Sequence, residues 1–338
     1  MQKKHILFAV GVFLIAALWA AFTFWEKINR EFEGESNAWV YIPRGSNELA
    51  IEDSLKASLG SGYGKTVNEI WKTIGGQPEL APGAYKVTPG MKVLDIARAL
   101  KTGSQTPIRV TFNNIRLYPD FIARISDQMD FSSIEFKEAC DSILPQHGFD
   151  KYNFIGAFIP DTYEFYWLTD PNKTVNRLLN YYDRFWNDER KAKAKALNLS
   201  PQQVTTLASI VEEETNSAEE RPIVARLYLN RLQKGMKLQA DPTVKYAVGD
   251  FSLRRILNKH LQTQSPYNTY IAEGLPPGPI RMPAPSTIDA VLNAPQNSYL
   301  YMCAREDFSG RHNFATTLEQ HNANAARYRA ALNARGIK

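Results

Sequence analysis

Ser200-Pro201-Gln202-Gln203-Val204-Thr205-Thr206-Leu207-Ala208-Ser209-Ile210-Val211-Glu212-Glu213-Glu214-Thr215 carries the start, the buried side and the charge of one helix. Ser200 can cap, Pro201 suits the first helical position, and Gln203 completes a capping box. Val204, Leu207, Ala208 and Val211 recur at i, i+3, i+4 and i+7, which predicts one buried stripe. With Val204 at zero and about 100° per residue, Glu213 falls near ~180°, toward solvent. Glu212 falls near ~80° and Glu214 near ~280°, on the two flanks of the stripe. A run of Glu on a helix is usually a solvated face. Here Glu212 and Glu214 border the core, where chemistry such as glycoside cleavage needs a carboxyl group.

Working outward, 338 residues leave room for about two domains. A formal charge of +5 is mildly basic and far from a nucleic-acid signature. The stretch Gly60-Ser61-Gly62-Tyr63-Gly64-Lys65-Thr66 approaches a phosphate-binding loop. Leu59 stands where its first Gly would belong, and residues 47–59 read as helix instead of strand. A flexible turn after a helix is the expectation. Cys140 and Cys303 are distant in sequence and read as two ordinary thiols rather than a disulfide. His312 and His321 lack partners at ligand spacing, so no metal and no cofactor is expected. Both histidines could line a cleft.

Residues 6–25 are twenty residues without a charge, the length of one membrane-spanning helix. Lys3 and Lys4 precede them, and Trp19 and Trp25 lie toward the far end. A cleaved signal would be shorter in its apolar part and would end on small residues. An uncleaved anchor is expected, with the N-terminus inside and the body outside. Residues 1–5 are then a cytoplasmic tail, 6–25 a transmembrane helix and 26–38 a stalk.

Residues 39–130 repeat a pattern of strand, tight turn and helix, which suggests a small α+β module. The clearest unit is Gly83–Gly90, followed by a helix with Val93, Leu94, Ile96, Ala97 and Leu100 apolar and Gly103 to end it. Looser copies start at Tyr41 and at Ile108, the last with a helix near Tyr118–Met129. The segment Tyr85-x-Val87-x-x-Gly90 with Ile96-Ala97 resembles the start of a LysM domain, a βααβ module that binds chitin-like and peptidoglycan glycans. Residues 131–338 form the second domain. Phe154–Trp167 is dense in rings and reads as core rather than a sugar platform. Lys173–Leu197 reads as one charged amphipathic helix, and another starts within 217–222 and stops at Gly235. The Pro- and Gly-rich stretches from 238 to 280 are candidate binding loops.

Several motifs follow one another in order. They are Gly156-x-Phe158-x-Pro160-Asp161-Thr162-Tyr163, Ala208-Ser209-Ile210-Val211-Glu212-x-Glu214-Thr215 and Asn230-Arg231-Leu232. Leu238-Gln239-x-Asp241-Pro242-Thr243, Tyr267-Asn268-Thr269-Tyr270, Gly274-Leu275-Pro276-Pro277-Gly278-Pro279-Ile280, His312-x-Phe314 and His321-Asn322 complete the series. Together they resemble the endolytic murein transglycosylase (YceG-like) family. The resemblance spans about residues 83–325. It departs at Ile155, where a Glu usually precedes the Gly, and at Met282-Pro283-Ala284 after the last loop.

The resemblance implies an α+β protein. One N-terminal transmembrane helix precedes a small LysM-like module and a helix-rich catalytic domain. It implies a lytic transglycosylase of the bacterial cytoplasmic (inner) membrane, acting on peptidoglycan glycan strands on the extracytoplasmic side. The implied reaction cleaves the MurNAc-β-1,4-GlcNAc bond, leaves 1,6-anhydro-MurNAc ends and terminates strands beside peptidoglycan synthases. Glu212 falls on the family's catalytic acid. Glu214, Gln239, Asp241, Tyr267 and Asn268 are the expected substrate contacts. Asp241-Pro242 and Tyr267-Asn268 could instead fix turns. A two-carboxylate muramidase and a non-catalytic peptidoglycan-binding scaffold are the alternatives.

Overall fold

The computed structural model describes residues 2–253 and 255–336, with side chains from His5 onward. Lys3 and Lys4, on which the expected orientation of the N-terminal segment rests, lie outside the described side chains. The chain is a helix-rich α+β protein that divides into two units. The first holds residues 1–110, 128–131 and 163–170, and the second holds 111–127, 132–162 and 171–338.

The first unit opens with α1 (Gln2–Asn29), which is long and apolar enough to cross a membrane. Its apolar side chains are exposed along its length, Leu7 and Phe13 by more than 70%. β1 (Ala38–Ile42), α2 (Glu48–Leu59), α3 (Ser61–Thr73), β2 (Gly83–Val87) and α4 (Val93–Thr102) follow. β1 pairs antiparallel with β2, with Val40 opposite Tyr85 and Ile42 opposite Gly83. Alternation places Val40 and Ile42 inward, against Ile51, Leu55, Val67, Trp71, Ile96 and Leu100.

Three expectations change here. Residues 60–66 are not a flexible turn: Gly60 alone turns, with φ of 83°, and α3 begins at Ser61. A Cβ on Gly64 would sit 2.5 Å from the Leu55 carbonyl oxygen, so only glycine lets α3 cross α2 this closely. Tyr85 and Val87 belong to the closing strand of a βααβ order that runs β1-α2-α3-β2, not to its opening strand. Both are core residues, and Tyr85 Oη donates to the Ala81 carbonyl at 2.9 Å. Residues 26–38 are not a free stalk either. Phe32 N donates to Met91 O, Gly90 N to Phe32 O and Val93 N to Arg30 O, each near 3 Å, and the Phe32 ring is 9% exposed.

β3 (Ile108–Phe112) and β4 (Asp161–Phe165) pair with each other. The second unit holds α5 (Tyr118–Ser126), α6 (Ser133–Ile143), α7 (Pro171–Phe185), α8 (Asp188–Ala196), α9 (Pro201–Glu214) and α10 (Arg221–Gln233). After these come α11 (Asp241–Val248), α12 (Asn258–Leu261), α13 (Pro285–Leu292), the hairpin β5 (Tyr301–Ala304) and β6 (His312–Ala315), and α14 (Leu318–Ala334). The expected single helix over 173–197 is two, because the chain turns at Trp186 and Asn187 caps α8 through Arg190 N. The aromatic insert is core: Phe158 is 2% exposed and stacks on Phe121 at 4.2 Å. Cys140 and Cys303 are both free thiols.

Candidate active site

The site is built around α9. Its capping box forms as the sequence requires: Gln203 N donates to Ser200 Oγ at 3.2 Å, and Gln203 Oε1 accepts from Ser200 N at 2.8 Å. The expected single stripe is too narrow. Every residue from Val204 to Val211 is buried, because α8, α10, α11 and α13 pack around the helix. The polar side chains on the far side cause no loss. Thr205, Thr206 and Ser209 donate to the carbonyls of Pro201, Gln202 and Thr206. Ser209 Oγ also accepts from Ile280 N at 3.0 Å and so ties the proline-rich loop to the helix. Gly278 lets that loop approach: a Cβ there would lie 2.0 Å from the Tyr152 carbonyl oxygen.

The three carboxylates of α9 end in three different environments. Glu212 Oε2 accepts from Ala284 N at 2.8 Å and from Thr287 Oγ1 at 2.6 Å, and Oε1 lies 3.3 Å from Arg281 Nη2. That carboxylate is fully engaged as an acceptor and fastens the start of α13. Glu213 is not ordinary surface. Its Oε1 accepts from Arg116 Nη2 at 2.6 Å and Arg281 Nη1 at 2.7 Å, and its side chain is 17% exposed. The side of α9 expected to face solvent meets arginines instead of water.

Glu214 differs from both. Its Oε1 accepts one hydrogen bond, from Tyr228 Oη at 2.7 Å. Burial pushes its pKa up to about 7, Asp241 adds to the rise, and the Tyr228 hydrogen bond and Arg231 oppose it. Glu214 lines a cleft of about 1130 Å³ with Glu213, Asp241, Pro242, Lys245, Leu253, Arg255, Ile256, Tyr328, Arg329, Leu332 and Asn333. Glu212 does not line it. The carboxylate expected as the acid is thus held by three donors away from this cleft, and the one expected as a substrate contact lines it.

The other candidates separate in the same way. Asp241 opens α11 on the cleft wall, and its Oδ1 accepts from Tyr270 Oη at 2.6 Å. Gln239 is exposed with φ of 50°, and its backbone N donates to Thr269 O. Tyr267 is 8% exposed, and its Oη donates to the Tyr152 carbonyl at 2.8 Å. Asn268 is fully buried: Nδ2 donates to the carbonyls of Leu261 and Thr263, and Oδ1 accepts from Tyr270 N. Tyr267 and Asn268 thus hold the loop, and neither reaches the cleft. The histidines do not line it either. His312 Nδ1 lies 2.9 Å from Glu220, which also accepts from Thr215, and His321 packs on the Tyr301 ring. Among the described residues no cluster of three His, Cys, Asp or Glu could hold a metal.

Tyr228, Arg281, Arg116 and the α14 wall were not singled out in the sequence. Tyr228 lies inside the helix expected to start within 217–222 and to stop at Gly235. Arg281 directly follows the quoted Gly274–Ile280 motif, which was the available signal.

Comparison with known proteins agrees with the motif order. A model of the YceG-like family matches residues 40–327. The chain is 28% identical over 323 residues to an endolytic murein transglycosylase of Bacillus subtilis strain 168, covering 90% of this chain and 88% of that protein. It is 24% identical over 321 residues to one from Streptococcus pneumoniae serotype 2, covering 86% of this chain but only 58% of that protein. A crystal structure of a yceG-like protein from Listeria monocytogenes superposes with a TM-score of 0.58 at 25% identity, covering 86% of this chain and 99% of that one.

Proposed function

The chain belongs to the YceG-like family, and from that premise we propose that it is a peptidoglycan lytic transglycosylase with Glu214 as its catalytic acid. One observation carries the assignment: a carboxyl group with a pKa pushed up to about 7 stands in the wall of a large cleft. Such a group is half protonated near neutral pH, which general acid catalysis requires. The names of the relatives supply the substrate class.

The reaction cleaves the β-1,4 bond between N-acetylmuramic acid and N-acetylglucosamine. Glu214 gives its proton to the glycosidic oxygen as the bond to C1 breaks. The resulting carboxylate then takes the proton of the muramoyl 6-hydroxyl, whose oxygen closes on C1. One bond breaks and one forms, no water is consumed, and Glu214 ends protonated as it began. Tyr228 holds the carboxyl group. Glu212 and Glu213 act at one remove by fastening the loop from Ile280 to Ala284 against α9. Asp241 and Gln239 remain the proposed sugar contacts. The α1 helix anchors the chain in the cytoplasmic membrane, which keeps the enzyme near newly made strands and their synthases. The βααβ part of the first unit is the proposed LysM-like glycan-binding module.

Digestion of purified sacculi tests this. Glu214→Gln should lose about 10²–10⁴ in rate of anhydro-product release, the usual share of a general acid. Glu212→Gln should retain most of the rate while melting at lower temperature. Full activity in Glu214→Gln would sink the assignment. A hydrolase pairing Glu214 with Asp241, which shares its cleft, would release reducing ends that borohydride converts. A binding scaffold would release nothing.

A further inference from the structure

The cleft that carries Glu214 also carries three cations from three separate segments: Lys245 on α11, Arg255 in the stretch after it, and Arg329 on α14. Among the described residues none of the three is ion-paired with a carboxylate. This is not for want of carboxylates nearby. Asp241, four residues before Lys245 on the same helix, accepts instead from Tyr270. Glu213 is taken by Arg116 and Arg281, and Glu214 by Tyr228. The acids of the cleft are satisfied from behind, and the bases of the cleft point to an anion from outside.

The N-acetyl sugars of a glycan chain are neutral and give a cation nothing to pair with. Murein carries carboxylates as well. When the lactyl group of the muramoyl unit is unsubstituted, it ends in one. When a peptide is attached, that carboxylate is consumed in an amide, and the peptide brings its own. We propose that Lys245, Arg255 and Arg329 form a carboxylate-reading wall of the Glu214 cleft, which selects strands by the acidic substituents of their muramoyl units. This rests on the murein reading above and goes beyond it, because a cleft that reads only sugar rings would ignore those substituents.

The test uses the full-length Glu214→Gln chain in detergent, so that strands bind without turnover. Affinity is measured for peptide-bearing strands, for strands stripped of peptide by an amidase, and for each after carbodiimide coupling to methylamine, which neutralises every carboxylate. Neutralisation should weaken the better strand about tenfold or more, the sum expected of three partly exposed charge contacts. Adding Lys245→Gln, Arg255→Gln and Arg329→Gln should weaken the native strand to the same level and remove the salt dependence of binding. Preference for peptide-bearing strands assigns the anion to the peptide, and preference for stripped strands assigns it to the lactyl group. Equal affinity for native and neutralised strands would overturn the proposal while leaving the murein reading intact. Failure to bind any strand would end both.

Discussion

A carboxyl group serves as an acid near pH 7 only where its surroundings favour the proton, and Glu214 has such surroundings. The wanted protonated form is lost as pH rises, so the rate of strand cleavage should have an alkaline limb centred near 7. The Tyr228 hydroxyl opposes the shift by hydrogen-bonding the ionised form. Tyr228→Phe should therefore move that limb to higher pH, and a limb that stays in place would remove Tyr228 from this role. Linkage gives the matching sign for stability. The folded chain keeps a proton that the unfolded chain releases from the ordinary 4.5, so Glu214's contribution is present at low pH and lost as pH rises from there through about 7. Glu213 contributes through its ion pairs. Glu213→Gln leaves the guanidinium groups of Arg116 and Arg281 without their shared carboxylate. A loss of about 1–3 kcal/mol in chemical denaturation is expected, and an unchanged midpoint would refute it. From its helical position alone this residue reads as surface, because a helical wheel gives angles and says nothing of what stands opposite. A cue was available: from Pro201 to Val211 the chain has no charged residue, and its Thr and Ser can satisfy themselves on their own helix. The different surroundings of Glu212 and Glu214 could not be read from the helix alone, because the donors that occupy Glu212 come from residues 281–287.

At the scale of elements, the α2–α3 corner depends on one missing methyl group. Gly64→Ala brings a Cβ against the Leu55 backbone, where no flexible side chain can yield. Overpacking of this kind costs about 1–3 kcal/mol. The first unit should show it as faster hydrogen exchange in α2 and α3, with α9 unaffected, and unchanged protection in α2 would show that the corner relaxes freely. The same corner marks a limit of local reading. Several glycines within seven residues read as a turn, and the fact that one of them permits a helix crossing lies in a contact with another helix. Where the signals were local, the reading succeeded. The strand at Ile108–Phe112, the helix after Tyr118, the end of α4 at Gly103 and the cap at Ser200 all stand where pattern placed them. The break between α7 and α8 was missed because Asn187 reads as one more polar position until its side chain is seen capping Arg190 N.

At the scale of the whole molecule, the apolar N-terminal helix runs into the folded body of the first unit. The apolar run of residues 6–25 was legible from length and charge alone. The end of the body was not, because residues 26–38 are polar and charged, the usual composition of a linker. Yet Phe32 is buried in the core of the first unit, and the backbone around it bonds with residues 90–93. Two truncations separate these roles. Deleting residues 2–25 should release the protein from membranes on fractionation and leave its digestion products unchanged. Deleting residues 2–37 should release it equally and also cost the burial of one phenylalanine, about 1.5–3 kcal/mol, together with the hydrogen bonds at Phe32 and Val93. The shorter chain should then melt lower and be cut by protease within the first unit under conditions where the longer one survives. If the two truncations melt together, residues 30–34 are a linker after all and the folded body begins at β1.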